Sequence, residues 1–326
     1  MPESLRIATF NLENLGQAGH GAPALEDRIL VLRPQLLRLR ADILCLQEVD
    51  ASVEGKERSL AALDWVLAET PYAGFHRQVS TNRQGDKLGQ KHNLVTLSRF
   101  PYSECRQIWH DLVAPPLHES ITASPRLDAP MPVEWDRPVL LAQIALPDGG
   151  TVSVVNLHLR APRAAFIAGQ KGSGGWQSIS AWAEGFYLAS VKQTGQALET
   201  RMAIERLFDA AEEPLIVVCG DFNATDREAP VRLIRGDEDD TGNAHLAPRV
   251  LVPLDRSIGT EQRYSAIHNG RPVMLDHILV SRPLLGHFVR CEVHNEDLGD
   301  ELVSPMAVPG SAESFHAPVV AEFAMG

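Results

Sequence analysis

The stretch L-I-V-V-C-G-D-F-N-A, Leu215 to Ala224, sets an unbroken apolar run before a glycine, a carboxylate and an amide. An unbroken run is the pattern of a strand covered on both faces, because a half-exposed strand alternates apolar with polar residues. Asp221 and Asn223 follow it two positions apart, so both project to the same side of an extended chain. A buried strand that presents oxygen-bearing side chains where it ends is a device for holding a cation or a phosphate.

The same device recurs along the chain. Leu5 to Phe10 runs into Asn11; Asp42 to Val49 closes on Gln47 and Glu48; Val152 to Leu159 carries Asn156 and His158, again two apart; Met274 to Val280 carries Asp276 and His277; and His316 stands just before Val319 to Phe323. Leu94 to Leu97 and Val139 to Leu146 are further apolar segments of strand length. Between them the period changes. Leu25, Ile29, Leu32, Leu36 and Leu39 recur at steps of four and three, which predicts a helix ending before Ala41, with Pro34 expected to kink it or delay its start. Ile204, Leu207, Phe208 and Ala211 share a helical face, predicting a helix of about twenty residues within Gly185–Ala211. Pro147-Asp148-Gly149-Gly150 and His268-Asn269-Gly270 are hairpin signals, so part of the sheet is antiparallel. A mixed sheet, or two packed sheets with helices outside, fits this order. No internal repeat or second core interrupts it, so residues 1–326 are expected to form a single domain. A Gly-rich surface loop near 168–175 is expected to be mobile, and an acidic loop lies near 294–301.

Composition bounds the chemistry. At 326 residues and 44% hydrophobic content the chain can bury a large core, and a net charge of −12 opposes non-specific attraction to polyanions. The four cysteines are dispersed without a C-x-x-C pair, which argues against a disulfide framework or a zinc knuckle. The N-terminus lacks a leader pattern and no stretch has the apolar length of a membrane span, so a soluble, cytoplasmic chain is expected. Carboxylates, amides and histidines gathered without a cysteine cluster point to a hard cation, Mg²⁺ or Mn²⁺, and hence to a phosphate-ester substrate. Arg160, Arg163 and Lys171, close behind His158, are the nearest candidates for phosphate contact. His277 reads as packed or exposed rather than catalytic, and Ser98-Arg99 as a structural turn.

Seven blocks, I-A-T-F-N-L-E-N, L-Q-E-V, N-L-V-T-L-S-R-F-P, V-V-N-L-H-L, C-G-D-F-N-A, L-D-H-I-L-V-S and S-F-H-A-P-V, occur in one order. In that order the chain resembles the endonuclease/exonuclease/phosphatase superfamily over nearly its whole length. The resemblance implies a four-layered α/β/β/α sandwich, two mixed sheets face to face with helices on both outer sides. It also implies roles: Glu48 as principal metal ligand with Asn11 beside it, His158 on the scissile phosphate or leaving group, Asp221 orienting the attacking water, and Asn223 holding the phosphate; Asn156, two residues before His158, and Arg160, two after it, are further substrate-binding candidates by position. Asp276 would fix the tautomer of His316, the general base. The activity implied is metal-dependent phosphoester hydrolysis, foremost of phosphodiesters, with nucleic acid as one candidate substrate and no protein partner.

One position departs from the pattern. Where the family carries Asp before the last histidine, this chain has Phe315. Losing that carboxylate predicts weaker or rearranged metal binding. Glu296, Asp297, Asp300 or Glu301 could substitute for it, or the loop holding them is merely exposed. The alternative function is a non-catalytic phosphate-ligand-binding module. Hydrolysis through a covalent nucleophile lacks a Gly-x-Ser-x-Gly elbow to support it.

Overall fold

The computed structural model describes residues 3–17, 22–54, 57–300 and 311–325. Its first third supplies β1 (Glu3–Leu15), β2 (Ile43–Val49), β3 (His76–Val79) and β4 (Asn93–Ser98). The middle supplies β5 (Tyr102–Ile108), β6 (Val139–Ala145), β7 (Thr151–His158), β8 (Leu215–Asp221), β9 (Val252–Pro253) and β10 (Asp276–Val280); the end supplies β11 (Phe288–Val293) and β12 (Val319–Met325). They form two six-stranded sheets, ordered β11-β12-β1-β2-β4-β3 and β9-β10-β8-β7-β6-β5. Both sheets are mixed: β1 runs parallel to β2 and β7 to β8, while their other neighbours are antiparallel.

A parallel return needs a crossover, and a helix supplies each one. α1 (Leu25–Leu39) joins β1 to β2, α2 (Ala61–Leu67) follows β2, and α3 (Ile179–Ala210) lies between β7 and β8. The unbroken apolar runs are explained by where their alternate residues go. Ile43 and Cys45 face the core between the sheets, with Val217 and Cys219 opposite, whereas Leu44 and Leu46 face Leu32, Leu36 and Leu63 of the outer helices. Val218 and Val155 meet Ala197, Ile204 and Leu207 of α3 on the other side. Two sheets back to back, each covered by helices, make the α/β/β/α sandwich that the resemblance implied.

Local expectations need three corrections. α1 has no late start: it runs from Leu25 with Pro34 inside it. Pro34 is exposed, so the carbonyl it leaves unpaired, that of the exposed Leu30, turns to water. α3 starts six residues earlier than expected, at Ile179, where Ser178 caps it by accepting from Ala181 N–H at 3.1 Å. Gly185 is not its beginning but a contact point, since a Cβ there would stand 2.5 Å from the Ala165 carbonyl oxygen. The Gly-rich segment between β7 and α3 forms a small hairpin, Lys171–Gly172 against Gly175–Trp176, in which the Lys171 ammonium sits 5.4 Å from the Trp176 ring centre. The two hairpins read from Pro147–Gly150 and His268–Gly270 are both present and antiparallel. No described helix is long and apolar enough to cross a membrane.

Candidate active site

Register brings the polar strand ends together. His158 of β7 pairs with Asp221 of β8, and Asp221 pairs in turn with Asp276 of β10, so three adjacent strands of one sheet present three functional side chains in a row. From the other sheet come Asn11 and Glu48, where the β1–β2 and β2–β4 ladders slip, between Asn11 and Leu15 and between Leu46 and Val49. Irregularities of this kind re-aim side chains. Glu13 (φ 46°), Asn14 (52°), Glu48 (57°), His92 (54°) and Asn223 (48°) all adopt the left-handed backbone region around this rim. Non-glycine residues there carry strain, which concentrates at functional sites.

Asp221 is the hub. Its Oδ2 accepts from Asn11 Nδ2 at 3.0 Å and Asn223 Nδ2 at 3.0 Å, its Oδ1 accepts from Asn223 N–H at 2.8 Å, and His158 Nε2 lies 3.3 Å from Oδ2. Asn11 Nδ2 also reaches Glu48 Oε1 at 3.3 Å, and Asn14 N–H donates to Glu48 Oε2 at 3.0 Å. On the far side His316 Nδ1 meets Asp276 Oδ2 at 2.8 Å, which turns Nε2 toward Asp221 Oδ2, 4.0 Å away. The loop carrying His316 is tied to β1: Ser314 Oγ accepts from His316 N–H at 3.1 Å and donates to the Asn11 carbonyl at 2.7 Å.

Burial and neighbouring charge set the proton affinities. Burial pushes the Asp221 carboxyl up to about 7, with Asp276 and Glu48 adding repulsion and His316 and the Asn223 amide opposing it. His316 is raised well above the ordinary imidazole range: burial works against its charge, but Asp276, Asp221 and Glu48 outweigh burial. His158 goes the other way, held well below that range by burial and then by Arg137, His92 and His316. Burial alone would raise Glu48, yet His92, His316, Arg137 and the Asn11 hydrogen bond bring it below the usual carboxylate range.

Asn11, Glu48, His158, Asp221, Asn223, Asp276 and His316 are thus brought into one cluster. Asn156 is not. It is fully buried two residues inside β7, its Oδ1 accepting from Gln47 Nε2 at 2.8 Å and its Nδ2 reaching the Val95 carbonyl at 3.1 Å, so it ties one sheet to the other. Sharing a face with His158 did not give it the same depth. Arg160 stands at the rim, paired with Asp136 at 2.7 Å, and Asp136 is shared with Lys192 at 2.6 Å. His277 is packed, between Asp255 at 3.1 Å and the Ala224 carbonyl at 2.9 Å. Ser98 accepts from Phe100 N–H and Arg99 pairs with Asp42, both structural.

Phe315 is buried, and its N–H donates to Glu13 Oε2 at 2.7 Å, so a carboxylate from the first strand's end stands beside the position where the family's Asp is missing. The acidic loop is engaged elsewhere: Glu296 pairs with Arg38 at 2.9 Å, and Asp300 accepts from Asn269 N–H at 3.1 Å. Glu301 lies outside the described residues.

Sequence reasoning missed His92, which stacks on His158 with ring centres 6.1 Å apart, and left open the place of Arg137, whose Nη1 contacts His158 Nδ1. No block spacing marks His92; Arg137 sits just before a strand, as a loop-capping residue also would. The Arg137 contact assigns the neutral imidazole proton of His158 to Nε2, because a guanidinium can only donate. The donor set suits a divalent cation. Among the described residues, two groups of three have candidate ligand atoms all within 4.8 Å of one another, Glu48–His92–His158 and Asp221–Asp276–His316. Asp276 Oδ1 is also buried with no hydrogen-bond partner among the described residues.

The comparisons agree with this fold. The chain covers 98% of itself and 99% of an AP endonuclease from Archaeoglobus fulgidus at 18% identity and a TM-score of 0.51. A 3′ phosphatase, NExo, from Neisseria bound to a product DNA hairpin matches over 98% of this chain and 99% of its own at 18% identity and a TM-score of 0.53. The human Nocturnin catalytic domain with a bound sulfate anion matches over 99% and 95% at 17% identity and a TM-score of 0.54. No curated protein sequence matches the chain. The model of the Endonuclease/Exonuclease/phosphatase family matches residues 8–300, spanning every strand end that builds the cluster except His316, and the chain belongs to that family.

Proposed function

We propose that the protein is a metal-dependent phosphoric ester hydrolase that cleaves phosphodiesters by attack of water. The observation that carries this reading is the line Asp276–His316–Asp221, with Nδ1 of His316 anchored at 2.8 Å and Nε2 left facing a second carboxylate at 4.0 Å. That arrangement fixes the imidazole's orientation and aims Nε2 at a water position; with the charge of Glu48 taken up by a bound cation, His316 would lose part of what raises its proton affinity and could accept the water's proton.

Glu48, with Asn11 beside it, would hold Mg²⁺ or Mn²⁺, which supplies a Lewis acid that polarises a phosphoryl oxygen. His158, protonated on Nε2 and kept neutral by burial and Arg137, donates toward the charge that develops on the phosphoryl or leaving oxygen. Asn223, both of whose amide hydrogens serve Asp221 and the Leu159 carbonyl, would release one of them to hold the phosphate, and Asp221, held by the N–H groups of Asn11 and Asn223, orients the water between itself and His316. Arg160 would reach a substrate phosphate only by loosening its pair with Asp136.

Hydrolysis of an activated aryl phosphodiester with Mg²⁺ or Mn²⁺ tests the reading. Glu48→Gln and His316→Gln are each expected to lower kcat/KM by about a hundredfold or more. Equal rates in wild type and Glu48→Gln would sink the assignment. Phe315 favours a second reading, a phosphate-binding module without turnover; tight binding of a diester without single-turnover cleavage at saturating metal would select it.

A further inference from the structure

Glu48 faces a residue to which the family resemblance gives no role. His92 immediately precedes β4, and its conformation is doubly fixed. Its N–H donates to Asp50 Oδ1 at 2.7 Å, and its Nε2 contacts Asn14 Oδ1 at 3.0 Å. An amide oxygen can only accept, so Nε2 carries the proton and the Nδ1 lone pair remains free. Nδ1 makes no hydrogen bond among the described residues. A histidine that donates one ring N–H to an amide or carboxylate oxygen while keeping the other nitrogen bare is the usual arrangement of a metal-ligating imidazole.

The two histidines near Glu48 differ in this respect. His158 has Nδ1 against Arg137 and its proton on Nε2, so it has no free lone pair to offer. His92 does, and one of its ring nitrogens lies within 4.8 Å of both the Glu48 carboxylate and a nitrogen of His158. Both His92 and Glu48 are held in left-handed backbone conformations, at φ 54° and 57°, an arrangement that is unfavourable for a non-glycine residue and persists only where the surroundings enforce it.

We infer that His92 supplies a nitrogen donor to the cation held by Glu48, and that the centre therefore selects a first-row transition cation over Mg²⁺. Magnesium prefers an all-oxygen octahedron and keeps its waters, gaining little from an imidazole; Co²⁺ and Zn²⁺ accept one readily, and Mn²⁺, though it also favours oxygen, more readily than Mg²⁺. The inference rests on the metal-dependent reading above, which by itself is satisfied by either kind of ion.

Calorimetric titration of the metal-free protein with Mn²⁺ and with Mg²⁺ tests it, in wild type, His92→Asn and Glu48→Gln. Asn tolerates the left-handed backbone, so His92→Asn is expected to fold, and an unchanged metal-free Tm checks this. Wild type is expected to bind Mn²⁺ at least about tenfold more tightly than Mg²⁺, and His92→Asn to lose about tenfold in Mn²⁺ affinity while Mg²⁺ affinity stays within about twofold. Electron spin echo of the Mn²⁺-loaded protein should show a histidine ¹⁴N coupling that His92→Asn removes. An unchanged Mn²⁺/Mg²⁺ ratio in a folded His92→Asn, with Glu48→Gln still abolishing both affinities, overturns the role of His92 alone. Should wild type bind neither cation, or Glu48→Gln bind both normally, the metal-centre reading falls with it. If His92→Asn misfolds, the ¹⁴N coupling decides: its absence from wild type overturns the inference.

Discussion

Arg137 and His158 show how one contact decides a residue's chemistry. A neutral imidazole is an acceptor at one nitrogen and a donor at the other, and the guanidinium on Nδ1 dictates which is which. Burial is the larger reason for the low proton affinity of His158 and Arg137 the next, so Arg137→Met is expected to raise the His158 pKa without restoring it to the ordinary value. NMR titration of the imidazole measures this directly, and turnover should fall by about tenfold to a hundredfold as the tautomer becomes mixed. Asp221 and His316 make the opposite case. Both bind protons more tightly in the folded chain than in the unfolded one. Their contribution to the stability of the metal-free protein is full below the unfolded values, about 4 for Asp and about 6.5 for His. It is lost as pH rises, through about 7 for Asp221 and at higher pH for His316. The metal-free Tm is therefore expected to decline from pH 6 to 8.5, and Asp221→Asn to flatten that decline. A Tm that rises over this range contradicts the assignment.

At the scale of elements, the strands were readable because burial on both faces leaves an unmistakable apolar run, and Leu215–Asp221 or Ile43–Val49 has that run at full length. Helix limits were less so. Pro34 forbids one backbone hydrogen bond, and nothing in its neighbourhood says that the freed carbonyl will face water and be tolerated. Because the site is exposed and mid-helix, Pro34→Ala is expected to raise stability by about 1 to 3 kcal/mol, measured as a shift in the urea midpoint with unchanged m-value. The early start of α3 went unread because, of Ile179 to Glu184, only Ala181 and Glu184 are buried, and Glu184 faces a loop, accepting from Ile121 and Thr122 N–H at 2.8 Å each. That pairing is a tertiary fact with no local period.

For the whole molecule, the charge of −12 and the local chemistry pull apart. The arginines nearest the cluster are already committed, Arg137 to His158 and Arg160 to Asp136, leaving few cations to follow a long polyanion. We accordingly propose a small phosphodiester, a short oligonucleotide or a phosphomonoester, rather than a long polymer, as the substrate class. Turnover of a small diester is expected to change little between 50 and 200 mM salt, and turnover of duplex DNA, if detected, to fall by less than about tenfold; a steeper slope would reveal a phosphate-tracking surface.

The sequence by itself determined that buried strands end in carboxylates, amides and imidazoles, and the order of its blocks implied the sandwich that the structure shows. Those features survive in one dimension because apolar runs and short i, i+2 pairs are local. Only the tertiary structure decided which of those side chains meet: that Asn156 spans the sheets instead of joining the site, that Glu13 stands beside the missing carboxylate at Phe315, and that His92 completes a group with Glu48 and His158. Such choices depend on slipped ladders, left-handed backbone turns and the pairing of strands far apart in the chain, and none of these has a signature in the spacing of residues.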